Sequence, residues 1–400
     1  MQLRSLVSSR AEGRLITPVF LLVTAATGAY FFALGVITPL LPRYVEGPLD
    51  QGNVQVGLAI GAFALTAVLL RPFVGRLSDR QGRRPLVVFG GILVGISIAS
   101  YNISTSLPLL ILFRILSGIG EAAFYVGVAS VVNDIAPDDR RGEALSYFSL
   151  ALFGGLAVGP IVGEAVHSAV GFGAAWVLAG ASALVAGLLG LLIPETRPEG
   201  ARDARQKILN RAAVIPGSLL ATNIWGLATF SSFIPLFALQ IGLHGSGLVF
   251  AENSAVILLI RLFGARLPDQ LGPRLAGRAA LSCVGIGLTT IGVWPSPVGM
   301  FVGTAIYSVG HALCFPALMT LAIRRAPAAE RGSVVGTFTA FFDGSFGVGA
   351  VSAGAIAAAL GYRGAFVVAG IVAFGGLGLM FTYAYRATRA ARAEEGHKAE

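Results

Sequence analysis

The sequence predicts an all-α integral membrane protein with twelve transmembrane helices in two pseudo-symmetric six-helix bundles, and three observations support this fold class. Hydrophobic residues make up 55% of the 400 residues and charged residues only 12%, which excludes a soluble protein because its surface would be mostly apolar. The apolar residues form runs close to the ~20 residues that cross a bilayer core of ~30 Å, and in lipid such runs must be helical. The third observation is an internal repeat.

Apolar runs between charged breaks predict the helices in order. The first six cover 16–40, 54–74, 85–103, 108–133, 143–167 and 172–193, and the second six cover 214–240, 246–263, 275–294, 298–323, 333–359 and 362–385. They form an N-terminal bundle at 16–193 and a C-terminal bundle at 214–385. The polar remainder predicts a cytoplasmic N-terminal arm at 1–15, a cytoplasmic linker at 194–213 and a cytoplasmic tail at 386–400.

The positive charge lies on one side of these helices. Most of the 29 lysines and arginines fall in the N-terminal arm, in the loops after even-numbered helices and in the tail. By the positive-inside rule both termini are cytoplasmic, and we expect a multi-pass protein of the inner (plasma) membrane. The net charge of +9 therefore reflects topology and predicts no nucleic-acid partner. The partners we expect are the lipid bilayer and a small-molecule substrate, bound by a monomer.

The two halves of the chain repeat each other. An offset of 190 residues places Arg76–Arg84 on Arg266–Arg274, and Gly159 on Gly349. A parallel duplication of a six-helix half places a substrate site near the midplane of the membrane, at the interface between the halves.

Several function classes find no support in the sequence. The chain has no Gly-Lys-Ser/Thr phosphate loop, which excludes ATP-driven pumping by this chain. No metal-ligand cluster or nucleophile triad occurs in the sequence, so we expect neither an enzyme nor a metal, and no cofactor beyond protons as the coupling ion. The two cysteines, Cys283 and Cys314, fall within predicted helices and imply no disulfide framework.

Three motifs carry a resemblance to a known family. Gly75-Arg-Leu-Ser-Asp79-Arg-Gln-Gly82-Arg83-Arg84 resembles the loop signature of the major facilitator superfamily, between helices 2 and 3. Arg114-x-x-x-Gly118-x-Gly120 resembles the helix 4 motif associated with proton coupling. Gly155-x-x-x-Gly159-Pro160-x-x-Gly163 in helix 5 resembles the motif of its twelve-helix drug/proton antiporters, although Glu164 stands where that motif usually has glycine. The resemblance covers essentially the whole chain and implies the major facilitator fold.

The first motif implies a gate at the cytoplasmic side. The resemblance implies that Asp79 meets the positive end of helix 11, and Arg83 could pair with Asp134 at the end of helix 4. Such contacts would form only while the halves are closed on that side. The alternative is a static positive-inside loop. The predicted gate residues are Gly75, Asp79, Arg80, Gly82, Arg83 and Asp134.

Charged residues inside the spans are functional candidates because they are costly in lipid. We predict that Glu121 carries the coupled proton, that Arg114 tunes it, and that His311 and Asp343 assist. His311 is the repeat counterpart of Glu121. Alternatively, these groups form a static ion pair or contact only the substrate. Arg71 and Arg261 fall at predicted helix ends, where a structural role is expected.

Further side chains are candidates for the walls of a substrate pocket: Tyr30, Tyr125, Tyr147, Asn223, Trp225, Glu252, Phe338 and Phe341. Taken together, the sequence predicts a secondary active transporter that exports a small amphipathic or drug-like compound by proton-coupled, rocker-switch alternating access. A metabolite, sugar or siderophore transporter of the same fold, either an exporter or a proton symporter, stays open because of Glu164. A membrane sensor or scaffold would be expected to carry a large soluble domain or a long ordered tail, and the sequence predicts neither.

Overall fold

The computed structural model of the chain describes residues 15–137, 140–197, 210–264, 270–324 and 331–397. Within these ranges the chain is helical and contains no strand. The helices are α1 (Pro18–Glu46), α2 (Asn53–Gln81), α3 (Arg84–Ala99), α4 (Leu107–Ile135), α5 (Arg141–Val170), α6 (Phe172–Leu192), α7 (Arg211–Gln240), α8 (Gly247–Phe263), α9 (Pro273–Val293) and α10 (Pro297–Ile323), followed by a long helical segment, Arg331–His397.

This last segment consists of two helices that meet at Gly361. The backbone there has φ 70° and ψ 177°, a conformation that glycine adopts readily and other residues do not. We number the part before Gly361 α11 and the part after it α12. Each is longer than the ~20 residues that a crossing requires. The predicted boundary between 333–359 and 362–385 falls at this glycine.

Ten of the described helices are long and apolar enough to cross a membrane. This number counts α11 and α12 as one segment and omits α8, whose 17 residues are at the lower limit of ~17 for a crossing. The structure is therefore compatible with twelve crossings, and the predicted all-α membrane fold class is confirmed.

Three predicted boundaries differ from the structure by more than four residues. Helices α1 and α2 continue to Glu46 and Gln81, beyond the predicted ends at 40 and 74, because a membrane helix extends past its apolar core into the polar interface. Helix α12 continues through the predicted tail as far as His397, because residues 386–395 are mostly Ala, Arg and Glu, which favour a helix. The N-terminal arm up to 14 and the linker residues 198–209 lie outside the described residues.

Small residues bring helices of the same half close together. A Cβ atom added to Gly159 on α5 would lie 2.7 Å from the Cα atom of Gly35 on α1. Gly163 lies against Val36 one turn further along. The glycines of the helix 5 motif thus serve the contact between α5 and α1, as small residues commonly do between membrane helices.

The two halves meet mainly along two seams at one end of the molecule, and α1 also contacts α7. We call the end that carries the loop between α2 and α3 the basic-loop end, and the opposite end the far end. In the first seam α2 packs on α11, where the paired residues are Gly57 with Ala350, Gly61 with Gly347, and Val54 with Gly354. In the second seam α5 packs on α8, through Glu164 and Gly247. A hydrogen bond of 2.7 Å from Tyr362 Oη to Glu46 Oε1 also joins the halves at the far end.

The halves separate toward the basic-loop end. A Cβ atom added to Gly75 on α2 or to Gly336 on α11 would have no described atom within 4 Å, whereas one at Gly57 or Gly354 would clash with the other half. The same two helices are therefore in contact at the far end and apart at the basic-loop end. The space between the halves is a cleft that opens toward the basic-loop end.

Candidate functional site

A buried polar network crosses between the halves where the α2–α11 seam ends. Tyr30 Oη on α1 donates a hydrogen bond of 2.5 Å to Glu121 Oε2 on α4. The other carboxylate oxygen of Glu121 lies 3.9 Å from Arg71 Nη2 on α2. Arg71 Nη1 forms an ion pair with Asp343 on α11. The structure thus brings Glu121 and Asp343 to one guanidinium, with Tyr30 bound to Glu121; all three are predicted site residues.

This network holds two carboxylates on one cation in a largely dry environment. The side chains of Arg71, Glu121 and Asp343 are 25%, 7% and 12% exposed. The guanidinium also lies over the ring of Tyr125, 4.9 Å from its centroid, and Tyr30 stacks on Phe124. One arginine here contacts two carboxylates. When both carboxylates are ionised, the network carries one net negative charge, which a single proton would neutralise.

The sequence interpretation of Arg71 as a helix-end residue was wrong. It depended on a predicted end of α2 at residue 74, but α2 continues to Gln81. Arg71 therefore lies well inside the helix and reaches the interface between the halves. Its repeat counterpart Arg261 does lie in the last turn of its helix.

Arg114 is not the cation that contacts Glu121. Its Nε atom donates a hydrogen bond of 2.9 Å to the carbonyl oxygen of Ala59, and its guanidinium lies over Phe63, 4.5 Å from the ring centroid. Arg114 and Glu121 share a face of α4 but are two turns, or ~10 Å, apart. Arg114 instead binds the backbone of α2. The place beside Glu121 that was expected for Arg114 is occupied by Arg71.

His311 occupies the equivalent position in the other half but belongs to a separate cluster. Its Nδ1 atom lies 3.3 Å from Asn223 Oδ1 on α7, and its ring stacks on Tyr307. Asn223 is fully buried, and its amide nitrogen has no hydrogen-bond partner among the described residues. The structure therefore unites two predicted residues, His311 and Asn223, apart from the Glu121 network.

The remaining pocket candidates divide between the cleft and the packed core. Tyr147 is 37% exposed, and Trp225 donates a hydrogen bond of 2.8 Å to Ser352 on α11. Phe341 covers Gly217 on α7. Phe338 is fully buried against Phe315, which places it in the core of its half rather than on a wall of the cleft in this conformation.

Glu252 on α8 carries a carboxylate oxygen that is buried and has no hydrogen-bond partner among the described residues. The sequence predicted it as a pocket residue, and the structure leaves it outside the Glu121 network.

Glu164 joins the halves through the start of α8. Its Oε1 atom accepts hydrogen bonds of 2.7 Å from the backbone nitrogen of Ser246 and 2.9 Å from its hydroxyl. Its Oε2 atom accepts one of 2.7 Å from the backbone nitrogen of Gly247, and Arg43 lies 3.8 Å away. The carboxylate satisfies free N–H groups at the positive end of a helix from the other half. This contact explains a carboxyl where the helix 5 motif has glycine.

The predicted gate loop is tied to its own half. Arg83 contacts Asp134 and Asp79, each at 3.1 Å, and donates a hydrogen bond of 2.7 Å to the carbonyl of Ser78. The expected pairing of Arg83 with Asp134 is present, but the expectation that it forms only while this end is closed was wrong, because both residues belong to the same half. The side chain of Asp79 is 57% exposed, and within the described ranges it makes no contact with α11. Gly82 forms the turn with φ 105°.

Three residues just after α6 hold this loop in a clamp that was not predicted from the sequence: Glu195, Thr196 and Arg197. Glu195, just after α6, accepts hydrogen bonds from the backbone nitrogens of Arg83 at 2.9 Å and Arg84 at 3.2 Å. Thr196 donates one of 3.0 Å to Asp134, and Arg197 binds the carbonyl oxygen of Arg80. These residues had been assigned to the linker. The sequence signal for this contact is an acidic residue just after α6, because a carboxylate can bind the free N–H groups at the start of a helix such as α3.

The sequence profile of the Major Facilitator Superfamily matches residues 23–346 and 219–400, which together cover most of the chain. The chain belongs to this superfamily. It is a multi-pass membrane transporter, as the resemblance of the three motifs implied.

Two related proteins match the chain over nearly its whole length. The chain is 27% identical over 362 residues to an uncharacterized MFS-type transporter of Salmonella typhimurium, a match that covers 87% of this chain and 92% of the relative. It is 28% identical over 381 residues to one of Pseudomonas aeruginosa, covering 90% and 91%.

A solved structure shares the fold. The bacterial homologue of the human lysosomal transporter Spinster, in an inward-facing and unoccupied conformation, matches with a TM-score of 0.77 at 17% identity, over 91% of this chain and 96% of that one.

Proposed function

We propose that this transporter is coupled to protons and exports a small amphipathic compound by alternating access. The observation that carries the proposal is the Tyr30–Glu121–Arg71–Asp343 network. It is buried, it contains one carboxylate more than its cation can balance, and it joins the two halves at the point where the cleft ends.

We further propose that the basic-loop end faces the cytoplasm. Membrane proteins keep Lys and Arg in cytoplasmic loops, and the loop between α2 and α3 carries Arg76, Arg80, Arg83 and Arg84. Both termini then lie in the cytoplasm of a cell whose inner membrane holds the protein. In this orientation the described conformation is open inward. Both halves contribute to one cleft, so a monomer suffices.

Opening toward the far end supplies a physical reason for proton uptake. That movement separates the α2–α11 seam, and the Arg71–Asp343 ion pair spans this seam. A carboxylate that loses its cation in a dry site is costly, and a bound proton removes the cost. Glu121 keeps Arg71, which belongs to its own half. The proton is therefore shared by the Glu121–Asp343 pair as a unit, with Arg71 in the tuning role first expected of Arg114.

A second candidate is a metabolite transporter of the same fold, for example a sugar or siderophore exporter or a proton symporter. It is favoured by the helix 5 motif, whose Gly155, Gly159, Pro160 and Gly163 pack on or beside α1 while Glu164 binds α8. In this chain the motif thus serves packing and closure, neither of which requires antiport.

Transport in proteoliposomes under imposed pH gradients of both signs tests the proposal. A panel of amphipathic compounds and metabolites is expected to yield one whose flux reverses with the sign of the gradient. Glu121→Gln and Asp343→Asn are expected to abolish the dependence on pH while leaving counterflow exchange of the same compound, because exchange needs no net proton movement.

Glu252→Gln is the matched control, since it neutralises a membrane carboxylate outside the network. It is expected to keep the pH dependence of the wild type. Wild-type flux that does not depend on the pH gradient would refute proton coupling through this network. An unchanged response to the pH gradient in Glu121→Gln would do the same.

A further inference from the structure

Arg261 is a cation that faces the cleft. It lies in the last turn of α8, and its guanidinium sits over the ring of Phe153 on α5, 4.5 Å from the centroid. Because α8 and α5 belong to different halves, the side chain lies between them, and it is exposed toward the end where the halves separate.

No described carboxylate pairs with this guanidinium. The ion pairs and hydrogen bonds of the described residues do not include Arg261. Arg71 has Asp343, and Arg114 has the Ala59 carbonyl. Its contact with the Phe153 ring leaves the N–H donors of the guanidinium free to bind an anion.

The internal repeat shows what is missing beside Arg261. The offset of 190 residues places Arg261 on Arg71, and it places Phe153 on Asp343. Both pairs join the halves, one as an ion pair between α2 and α11 and the other as a cation–π contact between α8 and α5. The first arginine therefore meets a carboxylate, and the second meets an aromatic ring in the equivalent place.

We propose that Arg261 binds the anionic group of the transported substrate, and that this substrate is an organic monoanion with an aromatic or otherwise apolar body. The anionic oxygens take the role beside Arg261 that Asp343 has beside Arg71. The planar guanidinium suits a carboxylate, which it binds through two parallel hydrogen bonds. The apolar body lies against Phe153 and Tyr125.

The charge of Arg261 selects this ligand class. A cationic compound is repelled by Arg261, and a neutral one leaves the guanidinium uncompensated when the cleft closes around it. A single unpaired cation matches a single negative charge. The inference rests on the proposed function only in placing the substrate in the cleft, and it holds for either direction of transport.

Three matched probes test the inference: 1-naphthoate, 1-naphthamide and 1-naphthylmethylamine share a ring system and differ in charge. Their binding to the purified protein in detergent is measured by isothermal titration calorimetry. The wild type is expected to bind the naphthoate at least ~10-fold more tightly than the amide, as for hydrogen bonds between charged groups. Arg261→Gln is expected to lose this preference and keep its affinity for the amide, while Arg261→Lys keeps part of the preference.

Arg278→Gln is the matched control. Arg278 also lies over a ring, that of Phe381 at 4.4 Å, but this contact joins α9 to α12 within one half. The variant removes the same charge and the same kind of contact away from the cleft, and it is expected to keep the wild-type preference for the naphthoate.

Failure of the wild type to prefer the naphthoate, or an unchanged naphthoate affinity in Arg261→Gln, would overturn the inference. The measurement uses no gradient, so it is independent of proton coupling. A chain that binds the naphthoate but ignores pH gradients would refute the proposed coupling and keep this site.

Discussion

Arg71 shows how one residue can depend on both halves of the molecule. It contacts Glu121 from its own half and Asp343 from the other. Its Nε atom is buried and has no hydrogen-bond partner among the described residues. The guanidinium is thus held by its two carboxylates and by the Tyr125 ring rather than by a full set of hydrogen bonds, which suits a contact that must break and re-form.

The Arg71→Gln substitution is expected to destabilise the protein because it leaves two carboxylates without a cation. Removing one partner of a fully buried pair costs ~3–5 kcal/mol, and the 25% exposure of Arg71 reduces the expected loss to ~2 kcal/mol. The double variant Arg71→Gln, Asp343→Asn is expected to recover much of this loss. Thermal unfolding of the purified variants in detergent measures both effects.

Arg114→Gln is a useful comparison, since Arg114 contacts no described carboxylate. Adding Asp343→Asn to Arg114→Gln is expected to give additive losses. Additive losses for Arg71→Gln and Asp343→Asn as well would show that the ion pair contributes nothing to stability.

The sequence alone singled out the two carboxylates of this network but not the arginine that joins them. Glu121 and Asp343 stand out because charges inside apolar spans are rare. Arg71 could not be recognised in the same way, since the end of the apolar run concealed how far α2 continues. Pairing Glu121 with Arg114 followed from spacing along one helix, and spacing within a helix carries no information about side chains that arrive from another.

At the level of helices, the far end is closed by a carboxylate on a helix terminus. Glu164 on α5 binds three donors at the start of α8, two of them backbone N–H groups. In the other seam the repeat counterpart of Glu164 is Gly354, which allows α11 to approach Gly57 and Val54 of α2 directly. One seam is therefore held by close packing and the other by charge-assisted hydrogen bonds.

The Glu164→Gln substitution is expected to weaken closure at the far end. A neutral amide loses the charge-assisted bonds and the interaction with the helix terminus, together ~1–3 kcal/mol, which shifts the equilibrium roughly 5- to 150-fold toward the outward-open state. Spin labels at Pro48→Cys and His244→Cys, in a background of Cys283→Ala and Cys314→Ala, report the distance across the far end. Their separation is expected to increase in the Glu164→Gln variant.

Asp50→Asn is the control, because Asp50 is an exposed carboxylate at the same end whose side chain has no contact with the other half among the described residues. It is expected to leave the label distance unchanged. A distance that stays at the wild-type value in Glu164→Gln would show that closure of the far end does not depend on the Glu164 contact.

Helices were predictable from sequence where their physics is local. Apolar runs fixed the spans, and Gly361 marked the break between α11 and α12. The contacts across the seams were not predictable, because they depend on which face of each helix points toward the other half. Glu164 illustrates this limit: it was noticed as a departure from a motif, yet only the position of α8 explains it.

For the whole molecule, alternating access requires two closures that exclude each other. In the described conformation the far end is closed through Glu164 and α8, while Asp79 at the basic-loop end is exposed and, among the described residues, pairs with Arg83 of its own loop. The resemblance to the superfamily implies that Asp79 meets the start of α11 in the opposite state. Each closure would then place a carboxylate of the N-terminal half on a helix N-terminus of the C-terminal half.

The duplication was visible in the sequence, and with it the two-bundle architecture. The conformational state was not, because the same sequence must be compatible with both closures. The contact of Asp79 with the start of α11, expected when the basic-loop end is closed, stays a prediction.

A variant of each closure and their combination test this scheme. Asp79→Asn is expected to abolish transport without loss of membrane expression, because the outward-open state loses its closure and the protein stays inward-open. Glu164→Gln is expected to slow transport by shifting the equilibrium the other way. Combining the two destabilises both closed states, so the equilibrium returns toward its original position. The double variant is therefore expected to transport faster than Asp79→Asn alone.

Spin labels at Gln81→Cys and Leu271→Cys, which are repeat counterparts at the basic-loop end, are expected to show that closure at that end recovers in parallel. A double variant as inactive as Asp79→Asn, with unchanged label distances, would show that the two carboxylates do not act on one equilibrium.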